Sequence, residues 1–198
     1  MGPYKFKFRK IFRNMINSSY PYNNVLDVAC ADAKFRKYFG NTNYTGVDIS
    51  NEILNSSKAI NTKNDFDNTK LLVGDLASSN WLLRGQKFDL VVSTHTFGHI
   101  KDTVNKKIAI KNLIDSIQNN KYFIIQLNDN DSEVLKPILD KNLFLLKHER
   151  YRGVISDILE NYFSEKFHQS FIGTITNYML SILDVWKTSD NLLYYKKK

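Results

Sequence analysis

Short apolar runs alternate with helix-patterned stretches along this chain, and that alternation leaves few folds open. The runs are Val25–Ala29, Tyr44–Asp48, Lys70–Gly74, Phe88–Ser93, Tyr122–Leu127, Leu143–Glu149 and Leu192–Tyr195. Helical spacing lies between them near Ala33–Tyr38, Glu52–Ile60, Trp81–Leu83, Val104–Ile117 and Ser132–Asp140. Strands separated by helices bury both faces of a sheet against them. The order therefore predicts an α/β fold, with a doubly wound, mostly parallel seven-stranded sheet and helices on both faces. Sheets of this kind bind ligands beyond the carboxyl ends of their strands. The residues that end each run are thus the candidates for function.

Two segments stand outside the alternation. Phe8, Ile11, Phe12, Met15 and Ile16 recur at helical spacing among Lys5, Lys7, Arg9, Lys10 and Arg13, which predicts a basic amphipathic helix. A loop around Pro21 follows, so residues 1–24 form a helix and loop ahead of the first strand. Residues 154–190 are too long for a simple crossover. Two helices are expected there, roofing the substrate side before the last strand. With no repeat and no Pro/Gly/Ser-rich linker, residues 1–198 are expected to form a single domain.

Composition narrows the function. Lysine and arginine number 28 against 20 aspartates and glutamates, a net charge of +8. That excess suits an anionic small molecule, a glycan or nucleic acid, and an acidic membrane surface could meet the basic N-terminus. An AT-rich coding bias would produce the same excess. Cys30 is the only cysteine, which excludes an internal disulfide and a thiolate zinc cluster. No apolar run approaches a membrane span, and the first residues lack the apolar centre of a secretory signal. A cytoplasmic protein is the expectation.

Four strand ends carry the chemistry. Val25-Leu26-Asp27-Val28-Ala29-Cys30-Ala31-Asp32-Ala33 is a strand that meets an acid and then a run of small residues, where backbone can approach a ligand. Tyr44-Thr45-Gly46-Val47-Asp48-Ile49-Ser50 places Asp48 21 residues after Asp27. Nucleotide-binding folds put the acid that accepts ribose hydroxyls at about that distance; Asp48 and Ser50 would equally serve to cap the next helix. Leu71-Leu72-Val73-Gly74-Asp75-Leu76 ends a third strand in an acid. Phe88-Asp89-Leu90-Val91-Val92-Ser93-Thr94-His95-Thr96-Phe97-Gly98-His99 ends a fourth in hydroxyls and histidines, with Asp89 suited to holding the strand's start.

In this order and spacing the four segments resemble the class I S-adenosylmethionine-dependent methyltransferases, over roughly Val25 to Leu127. The resemblance implies S-adenosyl-L-methionine as cofactor, contacted by Asp27, Ala29 and Ala31 in the first turn. It implies ribose hydroxyls on Asp48 with Ile49 beside them. It places adenine on Asp75 and Leu76, and the methionine side on Ser93 and Thr94. The family's first turn reads Asp-x-Gly-x-Gly-x-Gly, whereas this chain has Ala29, Ala31 and Ala33 at the three glycine positions. Ala33-Lys34-Phe35-Arg36-Lys37-Tyr38-Phe39 further resembles small bacterial methyltransferases associated with surface-polysaccharide biosynthesis.

The acceptor is read by elimination. Amino-directed relatives carry Asn or Asp followed by Pro-Pro and an aromatic after the fourth strand, and Ser93-Thr94-His95-Thr96 does not. Metal-dependent catechol-type relatives need an acid there as well. Asn128-Asp129-Asn130-Asp131 reads instead as a turn before a helix capped by Ser132, so no metal ligands are expected. Metal-free transfer to an oxygen of a small-molecule or glycan acceptor remains, with His95 as the proton-accepting catalytic residue and His99 as a packing residue. An RNA-directed methyltransferase and a non-catalytic scaffold that kept the fold are the alternatives.

Overall fold

The computed structural model of the chain describes residues 3–61, 68–153 and 188–198. The expected roof over 154–190 therefore lies outside the described residues up to 187, and its last three residues belong to a strand. Eleven principal elements are described: α1 (Pro3–Ser18), β1 (Asn24–Val28), β2 (Asn43–Asp48), α2 (Asn51–Asn61), β3 (Thr69–Val73), β4 (Phe88–Ser93), α3 (Thr103–Ser116), β5 (Ile117–Asn128), α4 (Asp129–Asn142), β6 (Leu143–Gly153) and β7 (Thr188–Lys197). One seven-stranded sheet runs in the order β3-β2-β1-β4-β5-β7-β6. Strands β1 to β5 pair in parallel, and β7 lies antiparallel between β5 and β6. Strand order reverses between β1 and β4, which opens a crevice above Val28 and Ser93, paired residues in the register.

Alternation along the strands sends side chains to two cores. Leu26, Val28 and Val91 join Ala109, Ile110, Leu113 and Leu135 beneath α3 and α4. Val25, Leu90 and Val92 join Phe8, Phe12, Met15 and Ile16 of α1 on the other face. The apolar stripe of the N-terminal helix is thus spent inside the protein. A helix lying in a membrane interface needs that stripe, so only its charged side is left for an outside partner. No helix among the described residues is long and apolar enough to cross a membrane.

The structure differs from the sequence pattern in three local places. Ala33–Tyr38 is a turn and a single 3₁₀ turn, Arg36–Tyr38, where a helix was expected. Left-handed residues bound it at Ala33 (φ 52°) and Gly40 (φ 59°), and the few residues between them cannot offset helix nucleation. Arg36 organises the segment instead. It is 1% exposed and donates to Thr69 Oγ1 (2.8 Å), the Gly40 carbonyl (2.7 Å) and the Thr42 carbonyl (3.1 Å). Trp81–Leu83 is likewise a turn, held because Trp81 and Leu83 sink into the core and Trp81 Nε1 donates to Ser116 Oγ. The cap of α4 is Asn128, whose side chain accepts from Asp131 N at 2.7 Å, so Ser132 lies within the helix.

Candidate functional site

The first turn takes a glycine path with alanine side chains. Ala29, Ala31 and Ala33 have φ of 57°, 48° and 52°, the left-handed region that costs a non-glycine residue about 1–2 kcal/mol. The strain is carried because the turn is tied down. Cys30 N donates to the Val47 carbonyl (3.1 Å), Ala33 N to the Cys30 carbonyl (2.8 Å), and Ala31 N to Asp48 Oδ2 (2.9 Å). The Cys30 side chain fills the space beside Gly46, where an added Cβ would sit 2.8 Å from its sulfur. Burial pushes the Cys30 thiol well above its ordinary range, and its sulfur packs beside Gly46.

Asp48 is fixed from two sides. Its Oδ2 accepts from the first turn and its Oδ1 from Ser50 N at 3.0 Å. Each carboxylate oxygen keeps further acceptor capacity. The same residue thus ties β1 to β2 and opens α2, where Ser50 Oγ accepts from Ile53 N. Next to it Ile49 is 70% exposed, an apolar side chain left uncovered at the rim of the crevice. Val73, partner of Asp48 in the sheet register, is also exposed.

Asp27 sits deeper than the other acids. It is 1% exposed, and the Tyr44 hydroxyl donates to its Oδ2 at 2.7 Å. Burial raises its pKa to about 7, against the lowering effects of the Tyr44 bond and of Lys34, with Asp48 adding to the rise. Asp75 is exposed and accepts from Ala77 N within its own turn, whereas Leu76 is buried in the core with Val47. The crevice therefore brings together the first turn, Asp48, Ile49 and the β4 end, while Leu76 turns its side chain inward.

At the end of β4 the hydroxyls are internal. Ser93 is fully buried and donates to Thr96 Oγ1 at 2.8 Å, and Thr96 reaches back towards the Val28 carbonyl at 3.4 Å. Thr94 is buried too. This knot ties the loop after β4 to β1 across the point of reversal. His95 stands out from it. Its φ is 57°, its backbone N–H donates to Gln126 Oε1 at 3.0 Å, and its ring lies exposed 5.7 Å from the Phe8 ring. Phe8 in turn meets Tyr151 of β6 at 5.1 Å. His99 is exposed at the end of a 3₁₀ turn, not packed as expected. Asp89 holds the opposite end of β4 as expected, accepting from Asn23 N and Asn24 N and facing Lys121.

Gln126 and Phe8 were not singled out from the sequence. Gln126 had a signal, being the lone polar residue in the run Phe123-Ile124-Ile125-Gln126-Leu127. Phe8 belonged visibly to an apolar stripe, but which strand end it would cover depends on how α1 crosses the sheet.

The chain matches the family model described as a methyltransferase domain over residues 21–181. Among solved structures it is similar to the N-methyltransferase NodS from Bradyrhizobium japonicum WM9, at 13% identity over 98% of this chain and 97% of that one, with a TM-score of 0.70. NodS in complex with S-adenosyl-L-homocysteine aligns over 99% and 88% at 12% identity, with a TM-score of 0.72. A TehB-like methyltransferase from Corynebacterium glutamicum aligns over 98% and 96% at 15% identity, with a TM-score of 0.59. Such identities establish a shared fold and leave the acceptor open. Among curated proteins none is significantly similar in sequence.

Proposed function

Because the chain belongs to the methyltransferase-domain family and is a class I S-adenosylmethionine-dependent methyltransferase, we propose that it methylates an oxygen of a small-molecule or glycan acceptor without a metal, with His95 taking the acceptor's proton. The observation that carries this reading is the strained His95 backbone at the carboxyl end of β4. Strain of this sort persists only where surrounding bonds hold it, and it gathers at functional sites. The Gln126 bond supplies the hold, and His95 is exposed with its ring 5.7 Å from that of Phe8.

The donor supplies an activated methyl group on a sulfonium sulfur. Its fit is supported by the glycine-like path of Ala29, Ala31 and Ala33, which lets backbone approach a ligand despite the added methyls. Asp48, oriented by Ala31 N and Ser50 N, has acceptor capacity for ribose hydroxyls, and uncovered Ile49 offers an apolar surface for the adenine. Asp75 takes the adenine amino group in this reading, with Leu76 shaping the pocket from within the core. Asp27 sits on β1 just before the turn, held by the Tyr44 hydroxyl. Ser93 and Thr94 bear on the methionine side as a fixed floor. His95 orients the acceptor hydroxyl in line with the methyl group and accepts its proton as the new carbon–oxygen bond replaces the carbon–sulfur bond.

The test is transfer of labelled methyl to fractionated cell glycans and RNA by the wild type and His95→Asn. Asparagine tolerates the left-handed backbone, so this variant isolates the ring. Glycan or small-molecule labelling that drops at least about a hundredfold is expected. Labelled RNA, or a variant that keeps most of its activity, would refute the reading. A non-catalytic scaffold, the alternative that the three alanines favour, would transfer no label to any fraction in this assay.

A further inference from the structure

Burial of the apolar stripe of α1 leaves Arg9, Lys10 and Arg13 on its outer side, beside Asn14 and Asn17. Lys37 and Tyr38 face them from the 3₁₀ turn, and together these residues line a cavity of about 780 Å³. Arg13 and Lys37 both lie over the Tyr38 ring, at 5.1 and 5.6 Å from its centroid. Among the described residues no carboxylate lines the cavity and none of its four cations forms an ion pair. Cations gathered without an acid repel one another and attract anions. The cluster also begins one residue from Phe8, which touches the His95 ring. With a rise of about 1.5 Å per residue, Arg13 lies roughly 7.5 Å further along the helix axis than Phe8, on the outer side of the helix.

We infer that this cavity binds a phosphate or diphosphate group of the methyl acceptor, so that the acceptor is a soluble phosphorylated molecule whose reactive hydroxyl reaches His95. The inference rests on the acceptor reading above and specifies its charge. A planar guanidinium with neighbouring ammonium groups suits phosphate oxygens. Concavity favours a discrete ligand over a flat lipid surface. Four cations around one concave site favour one or two phosphates over an extended nucleic-acid backbone.

The test uses the full chain and inorganic pyrophosphate, titrated by calorimetry at fixed ionic strength, with S-adenosylhomocysteine titrated in parallel. The double variant Arg13→Gln/Lys37→Gln changes exposed residues outside the crevice. One saturable pyrophosphate site, weakened about tenfold or more in the variant while S-adenosylhomocysteine binds both proteins alike, is the expected result. Absence of saturable binding, or equal binding by the variant, overturns the inference. So does tighter retention on phosphatidylglycerol vesicles or single-stranded RNA that pyrophosphate fails to displace. None of these readouts involves His95, so the oxygen-transfer reading stands or falls separately.

Discussion

A carboxyl group buried beneath a strained turn and bonded to a tyrosine hydroxyl holds its proton far longer than an exposed one. Asp27 does so up to about pH 7, whereas in the unfolded chain it ionises near pH 3.9. Between those values the native state binds more protons than the unfolded state, so stability falls as pH rises through that window and levels off above it. Asp27→Asn keeps a partner for the Tyr44 hydroxyl and has no charge to bury. Urea unfolding should show the variant gaining on the wild type from pH 5 to pH 8; parallel curves would mean that Asp27 is ionised in the fold. Asp89 works in the opposite sense. Burial raises its pKa, but two backbone N–H groups and Lys121 lower it further, for a net depression. Its contribution is present at neutral pH and is lost as pH falls through the depressed value. Asp48 belongs to the same scale. Asp48→Asn keeps an oxygen for the turn but loses the charge that, in the proposed ribose role, would strengthen the hydrogen bonds, and such bonds contribute about 1.5–3 kcal/mol each. Calorimetry with S-adenosylhomocysteine should show affinity lower by roughly ten- to a hundredfold. Unchanged affinity would remove Asp48 from the ribose role.

At the scale of elements, the first turn shows what replaces glycine when the path is kept. Three alanines in left-handed conformation are tolerated because the turn is anchored to Val47 and Asp48. Ala29→Gly and Ala31→Gly should each raise stability by about 1 kcal/mol or less and leave cofactor affinity equal or tighter. A loss of stability in both would mean that the alanine methyls pack well enough to outweigh the strain. Helix α1 supplies the complementary case. Phe12 is fully buried, and Phe12→Ala should cost about 3–5 kcal/mol in chemical denaturation. The strands and long helices were legible because a period of two or of 3.6 survives in the residues that each core buries. Ala33–Tyr38 was not legible as a 3₁₀ turn, because Arg36 reads as a surface residue until its guanidinium meets the Gly40 and Thr42 carbonyls. Leu76 was named for a ring contact from its place after Asp75, yet the turn carries it into the core. His95 was legible from its distance past Ser93; the Gln126 and Phe8 contacts that fix it join elements far apart in the chain.

Over the whole molecule, the crevice draws its parts from both sides of the strand reversal. The first turn and Asp48 belong to the β1–β2 side, and the Ser93–Thr96 knot ties β4 to β1. A ligand that binds only the folded chain stabilises it by an amount set by its free concentration relative to its dissociation constant. At a hundred times its dissociation constant that gain is about 2.7 kcal/mol. For a chain of 198 residues, each kcal/mol moves the melting temperature by roughly 2–4 °C. S-adenosylhomocysteine at that excess should therefore raise the melting temperature by roughly 5–11 °C. The shift must follow affinity, so Asp48→Asn at the same concentration should recover only a fraction of it. His95→Asn should recover nearly all of it, because the role proposed for its ring is towards the acceptor and not the donor. A wild-type shift that persists in full in Asp48→Asn would place the ligand somewhere other than the reversal point. A shift abolished in His95→Asn would make that loop part of the donor site, and the base for the acceptor would then have to be sought on another element.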